Sequence, residues 1–127
     1  MSVHELAAYD DVPNRPGRRA RNLAGSEHGF DSLFIVETEL DTGSSIPLHI
    51  HPVEEAWVVT AGELVVRLGE ERLVVPAGSV ARVPPNVPHS VVNEGTQTAR
   101  ALTAAPWSRA TFYSAATTYL EGVPRRD

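Results

Sequence analysis

Two histidines and a glutamate stand within seven residues of one another in this chain, namely His49, His51 and Glu55. On a β-strand these three side chains share a parity and point to the same face, because successive side chains alternate. Two imidazoles and one carboxylate on one face form a minimal ligand set for a divalent first-row metal. A single histidine on a strand is more often an ordinary surface or core residue than a metal ligand. The three residues together balance this tendency, so on their own they favour neither a metal site nor an ordinary structural role.

Two missing residue types narrow the remaining chemistry. The sequence contains no cysteine and no lysine. Disulfides, thiolate nucleophiles, iron–sulfur clusters, thiolate zinc sites and Schiff-base catalysis are therefore excluded. The groups left for covalent or metal chemistry are carboxylates, hydroxyls and five histidines, which are His4, His28, His49, His51 and His89.

Two spaced patterns carry a family resemblance. The first runs glycine, five residues, His-x-His, three residues, glutamate, six residues, glycine, and its members are Gly43, His49, His51, Glu55 and Gly62. The second is centred on a histidine downstream, and its members are Gly78, Pro84, Asn86, His89 and Asn93. Together they resemble the two motifs of the cupin superfamily, with Asn86 where the family has glycine. Asparagine tolerates the left-handed backbone that a tight turn there would need.

The resemblance implies a small single-domain bacterial cupin, whose fold is a single conical antiparallel β-barrel of the jelly-roll type. It further implies one divalent metal ion per chain near the barrel axis, held by His49, His51, Glu55 and His89. Iron, manganese, nickel, cobalt and zinc all suit three imidazoles and a carboxylate. His4 and His28 lie outside both patterns, and we expect them to be solvated.

An alternation of apolar and polar residues predicts the strands that would position these ligands. Short alternating segments recur with turn residues between them, which is typical of an all-β sandwich or barrel. We expect an N-terminal arm over residues 1–29, the barrel over 30–107, and a last strand with a C-terminal tail over 108–127. The predicted strands cover residues 32–40, 45–51, 55–60, 63–68, 72–75, 79–83, 88–93, 98–105 and 110–113.

The same alternation predicts the lining of the barrel. Six apolar residues fall on the inner faces, where plain core packing is a more frequent role than substrate contact; they are Phe34, Val36, Trp57, Val59, Leu64 and Val66. Arg82 and Arg100 lie in strands that flank the His89 motif. Either could bind a carboxylate through two hydrogen bonds, although an outward, solvated arginine is the commoner outcome.

These residues favour a metal-dependent enzyme that acts on a small oxygenated organic molecule. A dioxygenase is slightly favoured over an isomerase or cyclase. Glu55 is the predicted catalytic residue, and it could either remain a metal ligand or act as a base. The alternative is a small-molecule binding or sensor module without catalysis, because one barrel can host many activities.

Charge and hydropathy limit the partners. The net charge is 11 − 16 = −5, which argues against nucleic acid and anionic membranes as partners. No apolar run approaches the ~20 residues of a membrane helix, and the N-terminus lacks the features of a secretory signal. We therefore expect a cytoplasmic protein, and a homodimer in which residues 1–26 cross to the partner.

Overall fold

A computed structural model describes residues 2–106 and the backbone of residues 118–119. These residues form a short 3-10 helix, Ser26–His28, and antiparallel strands. The strands are β1 Asp10–Asp11, β2 Arg18–Ala24, β3 Phe34–Leu40, β4 Ser45–Ile50, β5 Glu55–Ala61, β6 Glu63–Leu68, β7 Glu71–Pro76, β8 Ser79–Val83, β9 His89–Val92, β10 Ala99–Ala105 and β11 Thr118–Tyr119.

The strands form two antiparallel sheets. One sheet has the order β1-β2-β3-β10-β5-β8, and the other has the order β11-β4-β9-β6-β7. Both sheets contribute buried apolar side chains to one large cluster, so the core lies between them. The predicted all-β, jelly-roll barrel fold is confirmed. None of the described helical residues forms a helix long and apolar enough to cross a membrane.

The six apolar residues predicted to face inward are all buried. Trp57, Val59, Leu64 and Val66 belong to the large cluster, which also holds Leu40 and Val91. The other two pack in a smaller cluster with residues from the N-terminal segment, and they are Phe34 and Val36. The positions therefore follow the alternation, and each side chain packs in the core.

The N-terminal segment differs from the predicted arm. Residues 18–24 form strand β2, which pairs with β3 of the same chain, and Val12 and Ala20 pack in the smaller core cluster. Strands β1 and β2 therefore pair within the chain, and the crossing of residues 1–26 to a partner subunit stays a prediction. Strand β2 was not predicted because its sequence lacks a clear alternation of apolar and polar residues: Arg18, a charged residue, is buried at one of its inward positions.

Cross-strand ion pairs explain why an arginine-rich segment joins this sheet. Arg19 lies opposite Glu39, and Arg21 lies opposite Glu37, in the β2–β3 register. Each arginine forms a salt bridge with the glutamate that it faces. Opposite charges directly across two strands stabilise the pairing.

The C-terminal prediction is only partly covered by the described residues. Strand β11 pairs with β4, with Tyr119 opposite His49. Residues 108–117 and 120–127, which include the strand predicted at 110–113, lie outside the described residues. So does residue 107, the last of the predicted barrel.

Candidate metal centre

Three strands bring four metal-ligating side chains together. His49 lies near the end of β4, Glu55 begins β5, and His89 begins β9 directly opposite His49. His51 follows β4 by one residue. All four side chains are buried, and their ligand atoms lie within 4.8 Å of one another. Such a group could hold a metal ion.

Backbone hydrogen bonds orient two of the imidazoles. Nδ1 of His49 lies 2.7 Å from the Pro47 carbonyl oxygen, and Nδ1 of His89 lies 2.9 Å from the Val87 carbonyl oxygen. A carbonyl oxygen can only accept a hydrogen bond, so each Nδ1 carries the proton. In the neutral ring, Nε2 then has the free lone pair that a metal requires.

Burial keeps two of the imidazoles neutral. It lowers the pKa of His49 to about 3, with further lowering from the charges of His89, Arg18 and Arg15. It also lowers the pKa of His51 to about 2, with further lowering from His49 and His89. A neutral imidazole is the form that binds a metal, and both rings remain in that form at ordinary pH.

The position of Glu55 shows that the residues fit a cation. Its Oε1 lies 2.9 Å from Nε2 of His89, and its Oε2 lies 3.9 Å from Nε2 of His51. A carboxylate oxygen and an imidazole nitrogen with a free lone pair repel each other at 2.9 Å unless a proton or a cation is shared between them. Three imidazole nitrogens and one carboxylate oxygen are suitable donors for a divalent first-row ion.

Comparison with known protein families identifies the family to which this fold belongs. A family model described as "Cupin domain" matches residues 36–105, which is more than half of the chain. The chain belongs to the cupin family. No curated protein matches the sequence significantly.

Solved structures show how this cupin compares with other barrels. The polyketide cyclase RemF from Streptomyces resistomycificus is 25% identical with a TM-score of 0.76, and the alignment covers 98% of this chain and 89% of that chain. A predicted oxalate decarboxylase from Thermotoga maritima is 23% identical with a TM-score of 0.73, covering 84% of this chain and 99% of that chain. An RmlC-like cupin from Shewanella frigidimarina is 24% identical with a TM-score of 0.70, and the alignment covers 88% of this chain and 94% of that chain. The last two likenesses show the fold alone.

Two other motif residues have structural roles. Asn86 adopts a positive φ of 63°, the left-handed conformation expected at this position, and its N–H donates to the His51 carbonyl oxygen at 2.7 Å. Asn93 is fully buried, and its Nδ2 donates to the carbonyl oxygens of Leu40 and Gln97, each at 2.8 Å. One therefore supports a ligand loop, and the other joins three segments at the end of the barrel.

The two flanking arginines are mostly exposed, and each forms an ion pair with a glutamate outside the group of four. The side chain of Arg82 is 64% exposed and pairs with Glu54, and that of Arg100 is 53% exposed and pairs with Glu39. Both arginines therefore point outward, which is the commoner outcome for arginines in such strands. Arg82 also lines a mostly apolar depression of about 310 Å³, which Glu55 adjoins.

Several polar features near the centre are not evident from the sequence. Trp57, predicted as part of an apolar wall, donates its indole N–H to Glu55 Oε1 at 3.1 Å. Its shared parity with Glu55 is the signal that could have revealed this contact. Arg15 and Arg18 are also buried, and no spacing or periodicity in the sequence predicts their burial.

The two remaining histidines stand apart from the metal-ligating group. His4 is exposed, and its ring stacks in parallel on the ring of His28, with centroids 3.8 Å apart. His28 is only partly buried. Neither belongs to the group of four that could hold a metal.

Proposed function

We propose that this cupin is a metal-dependent enzyme that cyclises or isomerises a small oxygenated organic molecule. In this proposal His49, His51, Glu55 and His89 hold one divalent ion per chain, with iron, manganese, nickel, cobalt and zinc all compatible. The observation that carries the proposal is the buried convergence of three imidazoles and one carboxylate.

The chain's own residues suit this chemistry. A bound ion would supply Lewis acidity, which acidifies a C–H bond next to a carbonyl group. The three imidazoles are neutral ligands, so Glu55 contributes the single negative charge of the set. A divalent ion would keep a net positive charge that favours an electron-rich substrate oxygen. Trp57 and Val59 are buried on the same strand as Glu55 and exclude water from that side.

The likeness to RemF favours cyclisation over oxygenation. That protein is a polyketide cyclase, and its similarity to this chain extends over 98% of the sequence at 25% identity. We therefore infer that the substrate class is a small ketone or phenol of the polyketide type. The assay of this proposal also distinguishes cyclisation from a dioxygenase reaction and from binding without catalysis.

The test begins with a screen of small oxygenated acids, ketones and phenols for binding by tryptophan fluorescence. Each compound that binds is then assayed for conversion under air and under nitrogen. We expect conversion that continues under nitrogen and stops when the metal is removed. Conversion lost under nitrogen would instead indicate a dioxygenase. Tight binding without conversion by fully metal-loaded protein would contradict an enzymatic function.

Two neighbouring glutamates provide a matched pair of variants for this assay. Glu55→Gln removes the charge from the ligand group while keeping its shape, and we expect it to abolish conversion. Glu54→Gln makes the same chemical change at the adjacent residue, whose side chain is 56% exposed and pairs with Arg82. This control should retain conversion. Equal activity in both variants would show that Glu55 has no catalytic role.

A further inference from the structure

The carboxylate of Glu55 is held by one side chain outside the group of possible ligands. Trp57 lies two residues further along β5, on the same face, and both side chains are buried. The indole Nε1–H donates to Oε1 of Glu55 at 3.1 Å. The contact thus lies within the core, where water does not compete for the carboxylate.

The chemistry of the indole group makes this contact selective. An indole N–H is a donor only, so it can bind an oxygen lone pair but cannot accept a proton from a carboxylic acid. It therefore holds one carboxylate oxygen of Glu55 through that oxygen's lone pair. A single donor also makes the two oxygens unequal, because Oε1 receives the indole hydrogen bond and Oε2 lies on the side of His51.

We propose that Trp57 is the positioning residue of this centre. It fixes the rotation of the Glu55 carboxylate, so that Glu55 stays in the ligand set through one oxygen instead of swinging away as a free base. This inference rests on the proposed function, because it requires a metal at the four residues. Phenylalanine at this position would fill most of the same space without the donor, so the hydrogen bond can be tested separately from packing.

The test measures the affinity for Zn²⁺ alone, by isothermal titration calorimetry, in a double-mutant cycle. Residues that orient a ligand typically change metal affinity by about 10- to 100-fold when they are replaced. We expect Trp57→Phe to weaken Zn²⁺ binding by about 10-fold in the wild-type background. In a Glu55→Ala background the same substitution should have little effect, because the group through which Trp57 acts is gone. Equal losses in both backgrounds, or no loss in either, would overturn the inference.

Val75→Ala serves as the control for core packing. Val75 is buried in the same large cluster but is not among the possible ligands or their hydrogen-bond partners. We expect this variant to lower stability while leaving Zn²⁺ affinity unchanged. A loss of affinity as large as that of Trp57→Phe would show that loosened packing alone accounts for the effect.

A second measurement keeps Trp57 intact, in case Trp57→Phe fails to fold. In an NMR spectrum of the Zn²⁺-loaded protein, the indole proton of Trp57 should resonate downfield of its position in Glu55→Ala. The second tryptophan, Trp107, is distinguished by its loss in Trp107→Phe. An unchanged Trp57 resonance in Glu55→Ala would overturn the inference. Failure of the wild-type chain to bind Zn²⁺ or any other first-row ion would instead overturn the proposed function.

Discussion

Acidification should destabilise the metal-free protein because two buried imidazoles must stay neutral in the folded state. The pKa of His49 is lowered to about 3 and that of His51 to about 2, both chiefly by burial. In the unfolded chain both rings have the ordinary pKa of 6.5. Between about pH 3 and 6.5 the unfolded state therefore binds more protons, so the free energy of unfolding falls as the pH falls.

The size of this effect follows from the two pKa shifts. A pH of 5 lies about 1.5 units below the pKa of each histidine in the unfolded chain. Protonation of each unfolded ring therefore lowers the free energy of unfolding by about 2 kcal/mol. Both rings are almost fully buried, so the sum for two is about 4 kcal/mol relative to pH 7. Asp41 contributes almost nothing between pH 5 and pH 7, because its ordinary pKa of 3.8 and its folded-state pKa, which the hydrogen bond from Arg19 lowers further, both lie below this range.

Urea unfolding of chelator-treated protein at pH 7 and pH 5 measures this loss directly. We expect His51→Asn, which removes one titrating ring, to show about half of the wild-type pH dependence. His4→Asn is the control, because His4 is exposed, and it should behave as the wild type. Equal stability of the wild type at both pH values, or an unchanged slope in His51→Asn, would refute the reasoning.

Three further predictions concern the barrel and its assembly. Asn93→Ala should lower the free energy of unfolding by about 3 kcal/mol in a denaturant titration, since its side chain makes three hydrogen bonds in a fully buried position. Gly62→Ala should destabilise by about 2 kcal/mol in the same assay, because Gly62 has a φ of 68° and an added Cβ would lie 3.1 Å from Ala99 Cα. Light scattering should report a homodimer, twice the 13.7 kDa chain mass, because apolar side chains such as Val80 remain exposed at 63%. A monomer at micromolar concentration would contradict it.

Alternation accounts for most of the fold that the sequence predicts. In strands β3 to β10 most of the inward residues are apolar, and the turns between these strands contain glycine or proline. The outward residues are mixed, because Val74 and Val80 are also exposed. Strand β2 breaks this rule, because Arg18 is buried at an inward position and its outward arginines are matched by glutamates on β3. That match is a long-range pairing, which no local pattern reveals.

The candidate centre was predictable to a different degree for each residue. The sequence prediction placed His49, His51 and Glu55 on one face of a single strand, but the chain leaves β4 before His51, and Glu55 begins β5 in the other sheet and meets the histidines across the barrel. His89 comes from β9 and was identified through the family motif. The hydrogen bond from Trp57 was missed because periodicity places a side chain on a face without showing where its polar atom points. Such contacts depend on side-chain rotamers, which follow from packing in three dimensions.

The metal content of the protein, purified without chelator, tests the central claim most directly. Elemental analysis should find about one first-row ion per wild-type chain, as expected for a single four-ligand site. His89→Ala removes one of those ligands and should retain far less metal, while circular dichroism should still show the β-sheet fold. A wild-type protein with no first-row metal, even after incubation with each of the five candidate ions, would contradict the account. So would an equal metal content in His89→Ala.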